Sequence, residues 1–376
     1  MCSTNFSFKT VSIFFVCIIC LSGCSVKSNQ AIHAADDYPA PEKKLLAAVL
    51  PLHNLSGTIV PLQDIRQRLI HSFKSQGLDI LPDHVLEKFI VKHRIRYVGG
   101  IDETTARDLR YETGADAVLI TSVELYNDLP PPKIALTCRL VSTGNDPKVL
   151  WIDGVGLAGD DSVGILQLSL IEDPQELLEK AVRQLSTSLG EYLAGKSPSV
   201  DSQRDIIKFW PKVFYRSPMV EPDWTYTVAV LPFLNQSDRR YAGEILALTF
   251  VAQMIPQKKF SVIEPGMVRQ VFLQQRIIMD DGISSADAHV LFTKLHVDLI
   301  LAGKIFDYQD YQGTSGTAKV DFSAIALERQ SGDVIWACQS HDTGDYGVFF
   351  FDWGKIHTAH RIASEMVASA LETLVE

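Results

Sequence analysis

Ala48-Val49-Leu50-Pro51-Leu52-His53-Asn54-Leu55-Ser56 returns half a chain later as Ala229-Val230-Leu231-Pro232-Phe233-Leu234-Asn235-Gln236-Ser237. An apolar run stopped by proline and followed by Asn-x-Ser reads as a buried strand leaving into a loop. The repetition does not stop there. Over residues 78–128 the two halves align without a gap at a spacing of 182 residues (276 less 94), which brings Arg94 onto Arg276. The same spacing brings Gly100 onto Gly282, Ile101 onto Ile283, Leu109 onto Leu291, Asp116 onto Asp298, Tyr126 onto Tyr308 and Asp128 onto Asp310. Further on, Trp151 meets Trp336, Gly159 meets Gly344 and Asp160 meets Asp345 at a spacing of 185 (336 less 151). A chain written this way is constrained to fold as two copies of one unit.

Each copy carries the same succession of periodicities. In the first, a strand at 45–50 precedes a helix with Leu62, Ile65, Leu69 and Phe73 at three- and four-residue spacing, closed by Gly77. A short strand at 78–81 leads through Pro82 into a second helix bearing Leu86 and Phe89, with Asp83 as its expected N-cap. After Gly99-Gly100 come a third helix with Ala106 and Leu109, a long strand at 117–126, and strands at 134–141 and 149–154. A helix at 175–193 closes the unit. Strand–helix–strand at the start calls for parallel neighbours, and the later strands with short loops call for an antiparallel meander. The expected fold class is α/β, two tandem copies of a mixed parallel/antiparallel sheet covered by helices. With 376 residues, 46% hydrophobic and 21% charged, each copy has the length and composition for its own core. The expected organisation is a leader at 1–23, a tether at 24–42, the first repeat at 43–195, a Pro/aromatic-rich linker at 196–224 and the second repeat at 225–376.

The leader has one charge, Lys9, ahead of an apolar run at 11–21 that is too short to span a bilayer and ends in small residues, as a secretory signal does. Its end, Leu21-Ser22-Gly23-Cys24, resembles the bacterial lipobox. That resemblance implies acylation of Cys24, and two or more acyl chains hold a protein stably at a membrane. Ser25 in place of an Asp implies the outer membrane of a Gram-negative cell, with the protein facing the periplasm. The polar tether that follows spans on the order of 25 Å as a flexible coil and about 60 Å fully extended.

With Cys2, Cys17 and Cys20 in the leader and Cys24 acylated, Cys138 and Cys338 remain, either as two buried thiols or as a pair. The linker holds Phe209, Trp210, Phe214 and Tyr215, too much apolar surface to leave in water, so it packs against the domains or serves as a partner-binding arm. A second aromatic run, Phe349, Phe350, Phe351 and Trp353, exists only in the second copy, as a buried edge of the core or as an anchor for a partner. Phe349, Phe350, Phe351, Trp353, Trp210 and Phe214 are the candidate partner contacts.

The net charge of −10 argues against a nucleic-acid partner. No glycine-rich phosphate loop and no nucleophile–base motif occurs. The two Asn-x-Ser sites read as side chains bonding the backbone of the loop after the strand. His357 and His360, three apart on a helix near His341, Asp345 and Asp352, lack a third ligand at convincing spacing. The expectation is therefore a protein without catalytic residues, cofactor or metal.

The order of these landmarks resembles a known family. Ala229 to Asn235, Ile263-Glu264-Pro265 before a helix ending Gln274-Gln275-Arg276, Gly114-Ala115-Asp116 before a strand, and Ser331-Gly332-Asp333-Val334-Ile335-Trp336 in a hairpin are the parts concerned. Together they resemble the periplasmic domain shared by the curli secretion subunit CsgG, the penicillin-binding-protein activator LpoB and related lipoproteins, with a TolB-N-terminal-like fold. The resemblance implies a non-catalytic envelope lipoprotein that binds other envelope proteins or itself. It also implies, as the alternative, a subunit of a CsgG-like export complex or an activator of an envelope enzyme. The loops here, such as 310–317, are too short for the 9–11-residue strands of a transmembrane barrel, which argues against a pore.

Overall fold

A computed structural model of the chain describes residues 44–161, 170–196, 209–221, 224–311, 316–346 and 355–375. The leader, Cys24, the tether, and Phe349, Phe350, Phe351 and Trp353 lie outside the described residues.

The first sheet is built from β1 (Leu46–Val49), β2 (His53–Asn54), β3 (Asp79–Ile80), β4 (Ala117–Asn127), β5 (Lys133–Ser142) and β6 (Val149–Ala158). Its order is β3-β1-β4-β5-β6, with β2 added alongside β4. β1 runs parallel to both β3 and β4, and β4, β5 and β6 form an antiparallel meander. The helices are α1 (Leu62–Ser75), α2 (Asp83–Lys92), α3 (Glu103–Thr113) and α4 (Pro174–Leu193).

The second sheet is built from β7 (Val213–Arg216), β8 (Tyr226–Val230), β9 (Leu234–Asn235), β10 (Phe260–Val262), β11 (Leu299–Gln309), β12 (Lys319–Glu328) and β13 (Val334–Thr343). Its helices are α5 (Ala242–Met254), α6 (Pro265–Gln275), α7 (Ser285–Leu295) and α8 (Ala359–Val375). The order is β10-β8-β11-β12-β13-β7, with β9 alongside β11. Apart from β7, this is the order of the first sheet. The protein is thus α/β, with two mixed sheets in tandem, each covered by helices.

Matching positions do matching work. Asp116 Oδ2 accepts from Leu46 N at 3.2 Å and Asp298 Oδ2 accepts from Thr227 N at 2.9 Å, each tying the head of a long strand to its parallel neighbour. Trp151 Nε1 donates to Ser188 Oγ at 3.2 Å and Trp336 Nε1 to Thr373 Oγ1 at 3.0 Å, so each indole, buried in its sheet, holds the closing helix. Burying an indole asks for such a partner. Arg94 and Arg276 both take left-handed backbone, at φ 53° and 55°, where α2 and α6 end. The Asn-x-Ser turns also match. Asn54 Oδ1 accepts from Ser56 N and Asn235 Oδ1 accepts from Ser237 N, both at 3.0 Å. The amides of the same asparagines donate to Thr58 O and Arg239 O.

Each sheet is sandwiched. On one face of the first, Ile65, Leu69 and Phe73 of α1 meet Leu177, Leu185 and Leu189 of α4 over Leu119, Leu136 and Leu140. On the other, Leu86, Phe89, Ala106 and Leu109 of α2 and α3 cover Val118, Ile120 and Val141. In the second sheet α5 and α8 take the first role, and α6 and α7 the second.

Two expectations change, the cap of α2 and the end of β6, while the linker packs as expected. Asp83 does not cap α2; Pro82 precedes the helix with no side-chain cap bond, and Asp83 instead meets Arg66 Nη2 at 2.7 Å. That bond outweighs the effect of partial burial and holds the Asp83 carboxyl below its usual range. β6 runs on to Ala158, beyond the strand expected at 149–154. The linker contributes β7, which pairs antiparallel with Trp336–Gln339 at the edge of the second sheet. Cys138 and Cys338 are both free and buried, and burial pushes each thiol up to about 12. Among the described residues no helix is long and apolar enough to cross a membrane.

Candidate functional site: the polar seam between the sheets

The long strands of the first sheet extend past α2 and α3. On the length of the α2/α3 face beyond those helices lie Ser122, Glu124, Lys133, Thr137 and Arg139, a row that belongs in water by residue type. Every one of them is buried. Elements of the second half of the chain cover them, and Leu55 and Ile152 of the first half join the main core under the second sheet.

At one end of the seam is a charge pair. The turn from β10 into α6 carries Glu264, which with Arg139 is fully buried. Arg139 Nε donates to Glu264 Oε2 at 3.0 Å, and Nη2 donates to Glu264 Oε1 at 2.9 Å and to Gly99 O at 2.6 Å. The two-pronged geometry suits a guanidinium and a carboxylate. Glu264 Oε1 also accepts from Gly266 N at 3.3 Å, and Ile101 N points to it at 3.4 Å. The backbones touch here: a Cβ on Gly266 would lie 2.3 Å from Ile101 N, and one on Gly100 would lie 2.8 Å from Gly266 Cα. Only glycine permits so close an approach. Beside this joint His53 packs edge-on to Tyr97, with ring centroids 5.3 Å apart, while the Arg269 guanidinium lies 4.0 Å over the Tyr97 ring.

At the other end the start of α8 meets β4, β5 and β6. Glu124 sits at a bulge in β4, where the register with β5 slips between Val123 and Leu125. A bulge re-aims the side chain it carries. Glu124 Oε2 meets His360 Nδ1 at 2.6 Å, and Oε1 accepts from Thr137 Oγ1 at 2.6 Å. Gly154 and Gly156 of β6 make room for the imidazole; a Cβ on either would come within 3.0 Å of it. Arg239 donates to Glu124 O and lies 3.7 Å from Asp310, which accepts from Ala359 N at 2.8 Å at the head of α8. Lys133 Nζ donates to Tyr311 O at 2.9 Å and His357 O at 3.2 Å, and rests 3.2 Å over the Tyr311 ring. His357 Nδ1 lies 2.9 Å from Asp160 Oδ2 and 2.7 Å from Tyr311 OH.

Burial and charge pull these groups in different directions. For His53, burial, then the Arg139 and Arg269 charges, lower the imidazole to about 4. Burial also lowers His360, but the Glu124 charge and bond, with Asp310 and Asp153 behind, outweigh it and leave the pKa raised. Burial raises Asp310 and lowers Lys133. Asp160 is pushed up by burial and brought below its usual range by the His357 bond and charge.

The signs give a test. His53 is held neutral in the folded chain, so the unfolded chain binds one more proton between about pH 6.5 and pH 4, and stability falls as pH drops through that window. The raised pKa of His360 contributes stability that is present below its unfolded value and is lost as pH rises through the folded pKa. Nuclear magnetic resonance titration of the two rings is expected to place His53 well below 6.5 and His360 above it; shifts of the same sign would contradict the seam geometry.

The structure separates the sequence candidates. His357 and His360 point to different partners, and among the described residues no group of three His, Cys, Asp or Glu is placed to hold a metal ion. Trp210 is half-buried, its ring 6.1 Å from that of Phe214, and Phe214 is exposed on the edge strand β7. The residues that sequence reading missed are Glu124, Arg139 and Glu264. Their signal was a charged residue inside an otherwise β-rich or apolar stretch, and in Glu124 and Arg139 a charge where the matching register position of the second sheet has Phe306 and Ile325.

No family model and no curated protein matches the chain. Among solved structures it is similar to the PelC dodecamer from Paraburkholderia phytofirmans, at 14% identity over 42% of this chain and 92% of that one, TM-score 0.31. It is similar to lipoprotein GNA1162 from Neisseria meningitidis, at 19% identity over 39% of this chain and 99% of that one, TM-score 0.29. The LpoB C-terminal domain from Salmonella enterica gives 15% identity over 31% of this chain and 87% of that one, TM-score 0.26. Each of these likenesses spans less than half of this chain.

Proposed function

We propose that the chain is a non-catalytic lipoprotein, anchored through acylated Cys24 on the periplasmic side of the outer membrane, that acts as a protein-binding or assembly module. In this reading the repeats, residues 43–195 and 225–376, are duplicated copies of one domain, and the linker at 196–224 joins them. The observation that carries the non-catalytic part is the seam. Its acids and bases bond across the two repeats: Arg139 to Glu264, Glu124 to His360 and Asp160 to His357. Catalytic acids and bases have to face a substrate; these face one another and join two sheets. The anchoring part rests on Leu21-Ser22-Gly23-Cys24 at the end of the apolar run. Partner contacts are assigned to Trp210 beside β7, to Phe214 on it, and to Phe349, Phe350, Phe351 and Trp353.

Cys24→Ala tests the anchor. In membrane fractionation the wild-type chain is expected with the outer membrane, and the Ala variant is expected to leave it and appear as folded soluble protein. Retention of the Ala variant in the membrane fraction would sink the anchoring reading.

A further inference from the structure

The seam joins unlike surfaces. The first repeat supplies a socket, the Gly99–Ile101 backbone with Arg139, and the second supplies a plug, the β10–α6 turn with Glu264 and Gly266. A joint of unlike surfaces between like domains leaves one socket and one plug over. The remaining socket is on the second repeat. Gly282 and Ile283 stand where Gly100 and Ile101 do. Ile120 pairs with Arg139 and Ala302 pairs with Ile325, so Ile325 holds the register position of Arg139. There the structure has a cavity of about 430 Å³, lined by Leu234, Gly282, Ile283, Ala288 and Ile325 among others. A Cβ on Gly282 would meet nothing within 4 Å. The faces differ in cover as well: β5 is buried along nearly its whole length, whereas β12 alternates buried and accessible residues.

The remaining plug is the β3–α2 turn of the first repeat. α2 begins at Asp83 and α6 at Pro265, so Pro82 holds the position of Glu264. Pro82 is exposed. The charged pair of the closed joint has thus become apolar on both leftover surfaces, Ile325 for Arg139 and Pro82 for Glu264. Two further positions change in step: His84 replaces Gly266 two residues along the plug, while Asp281 replaces Gly99 on the rim of the socket. The cavity supplies the volume that an imidazole needs and that the glycine contact of the closed joint lacks.

We propose that the Gly282–Ile283 cavity is a socket for the β3–α2 turn of a second copy of this chain, so that chains associate head to tail. This deepens the assembly reading above and rests on it, but not on the lipid anchor. Sedimentation velocity of the full-length chain in detergent tests it. The wild type is expected to grow beyond the monomer with concentration. Ile325→Arg or Pro82→Glu alone is expected to weaken association about tenfold or more, which is about 1.4 kcal/mol. Mixing the two variants is expected to restore dimers, because the pair between them then reproduces Arg139 and Glu264. As a check that does not depend on destabilising changes, chains carrying Pro82→Cys and chains carrying Ile325→Cys are expected to crosslink to each other under oxidation. A wild type that stays monomeric at all concentrations, association unchanged by both substitutions, or a cavity filled by some other molecule in place of Pro82 would overturn the proposal. A monomeric wild type that is still membrane-bound through Cys24 would remove head-to-tail association and leave the anchor standing.

Discussion

Glu264→Ala is expected to lower stability by about 3–5 kcal/mol, because it strands the Arg139 guanidinium in the seam. Arg139 and Glu264 are both fully buried, and after the substitution Gly99 O is the one acceptor left to the guanidinium among the described residues. Two effects compete. Removing a charge relieves its own desolvation, which favours the variant; leaving its partner unpaired in low dielectric opposes it. For a fully buried pair the second wins, since Arg139 cannot shed its proton to escape. The corresponding change at an exposed pair such as Lys148–Asp146 is expected to be worth less than about 1 kcal/mol. Urea unfolding of the two variants separates these cases, and equal small effects would mean that Arg139 reaches water.

Gly266→Val is expected to open the same joint by steric means. The added Cβ falls 2.3 Å from Ile101 N and 2.5 Å from Ile101 O, backbone atoms that no rotamer change can move aside. Either α6 withdraws, separating Glu264 from Arg139, or the Gly99–Ile101 turn shifts. Both routes expose buried polar groups, and the expected loss is about 2–4 kcal/mol. Hydrogen exchange locates the damage: protection is expected to fall at Ile101 and Gly266, with the Trp151 and Trp336 helix ties left intact. Loss confined to one repeat would contradict a shared joint.

Much of the fold was legible in the sequence. Leu45 to Leu50 and Ala117 to Tyr126 are apolar runs bounded by turns, and the three- and four-residue spacings of Leu62, Ile65, Leu69 and Phe73 fixed α1 and its buried face. The gap-free spacing of 182 residues then carried the assignments between 78 and 128 to the other half. The seam was illegible for a physical reason. Lys133, Thr137 and Arg139 alternate with apolar neighbours along β5 as Lys319, Asp321 and Ser323 do along β12. Such alternation is what a solvated antiparallel face shows. Lys133 is nevertheless buried beneath Tyr311 and His357, while Lys319 remains at the surface paired to Asp307 at 2.7 Å. What separates the two faces is whether elements of the other sheet pack on them, and a strand's own pattern does not encode that. Glu124 and Phe306 show the same limit. Both occupy the bulge of their long strand, one bonded to His360 and the other exposed.

The histidines show a second limit. Sequence reading placed both on one helix, but His357 lies before the first residue of α8 and His360 just inside it. One imidazole meets Asp160 and the other Glu124. Asp310, just after β11, accepts from Ala359 N at the first residue of α8.

The double-mutant cycle of Arg139→Leu and Glu264→Leu tests most directly whether the polar seam is a structural joint. Each single variant is expected to lose several kcal/mol of unfolding free energy, and the double variant is expected to recover much of it, giving a coupling of about 2–3 kcal/mol. Additive losses with a coupling near zero would mean that the two residues do not meet across the seam, and the joint would have to be abandoned.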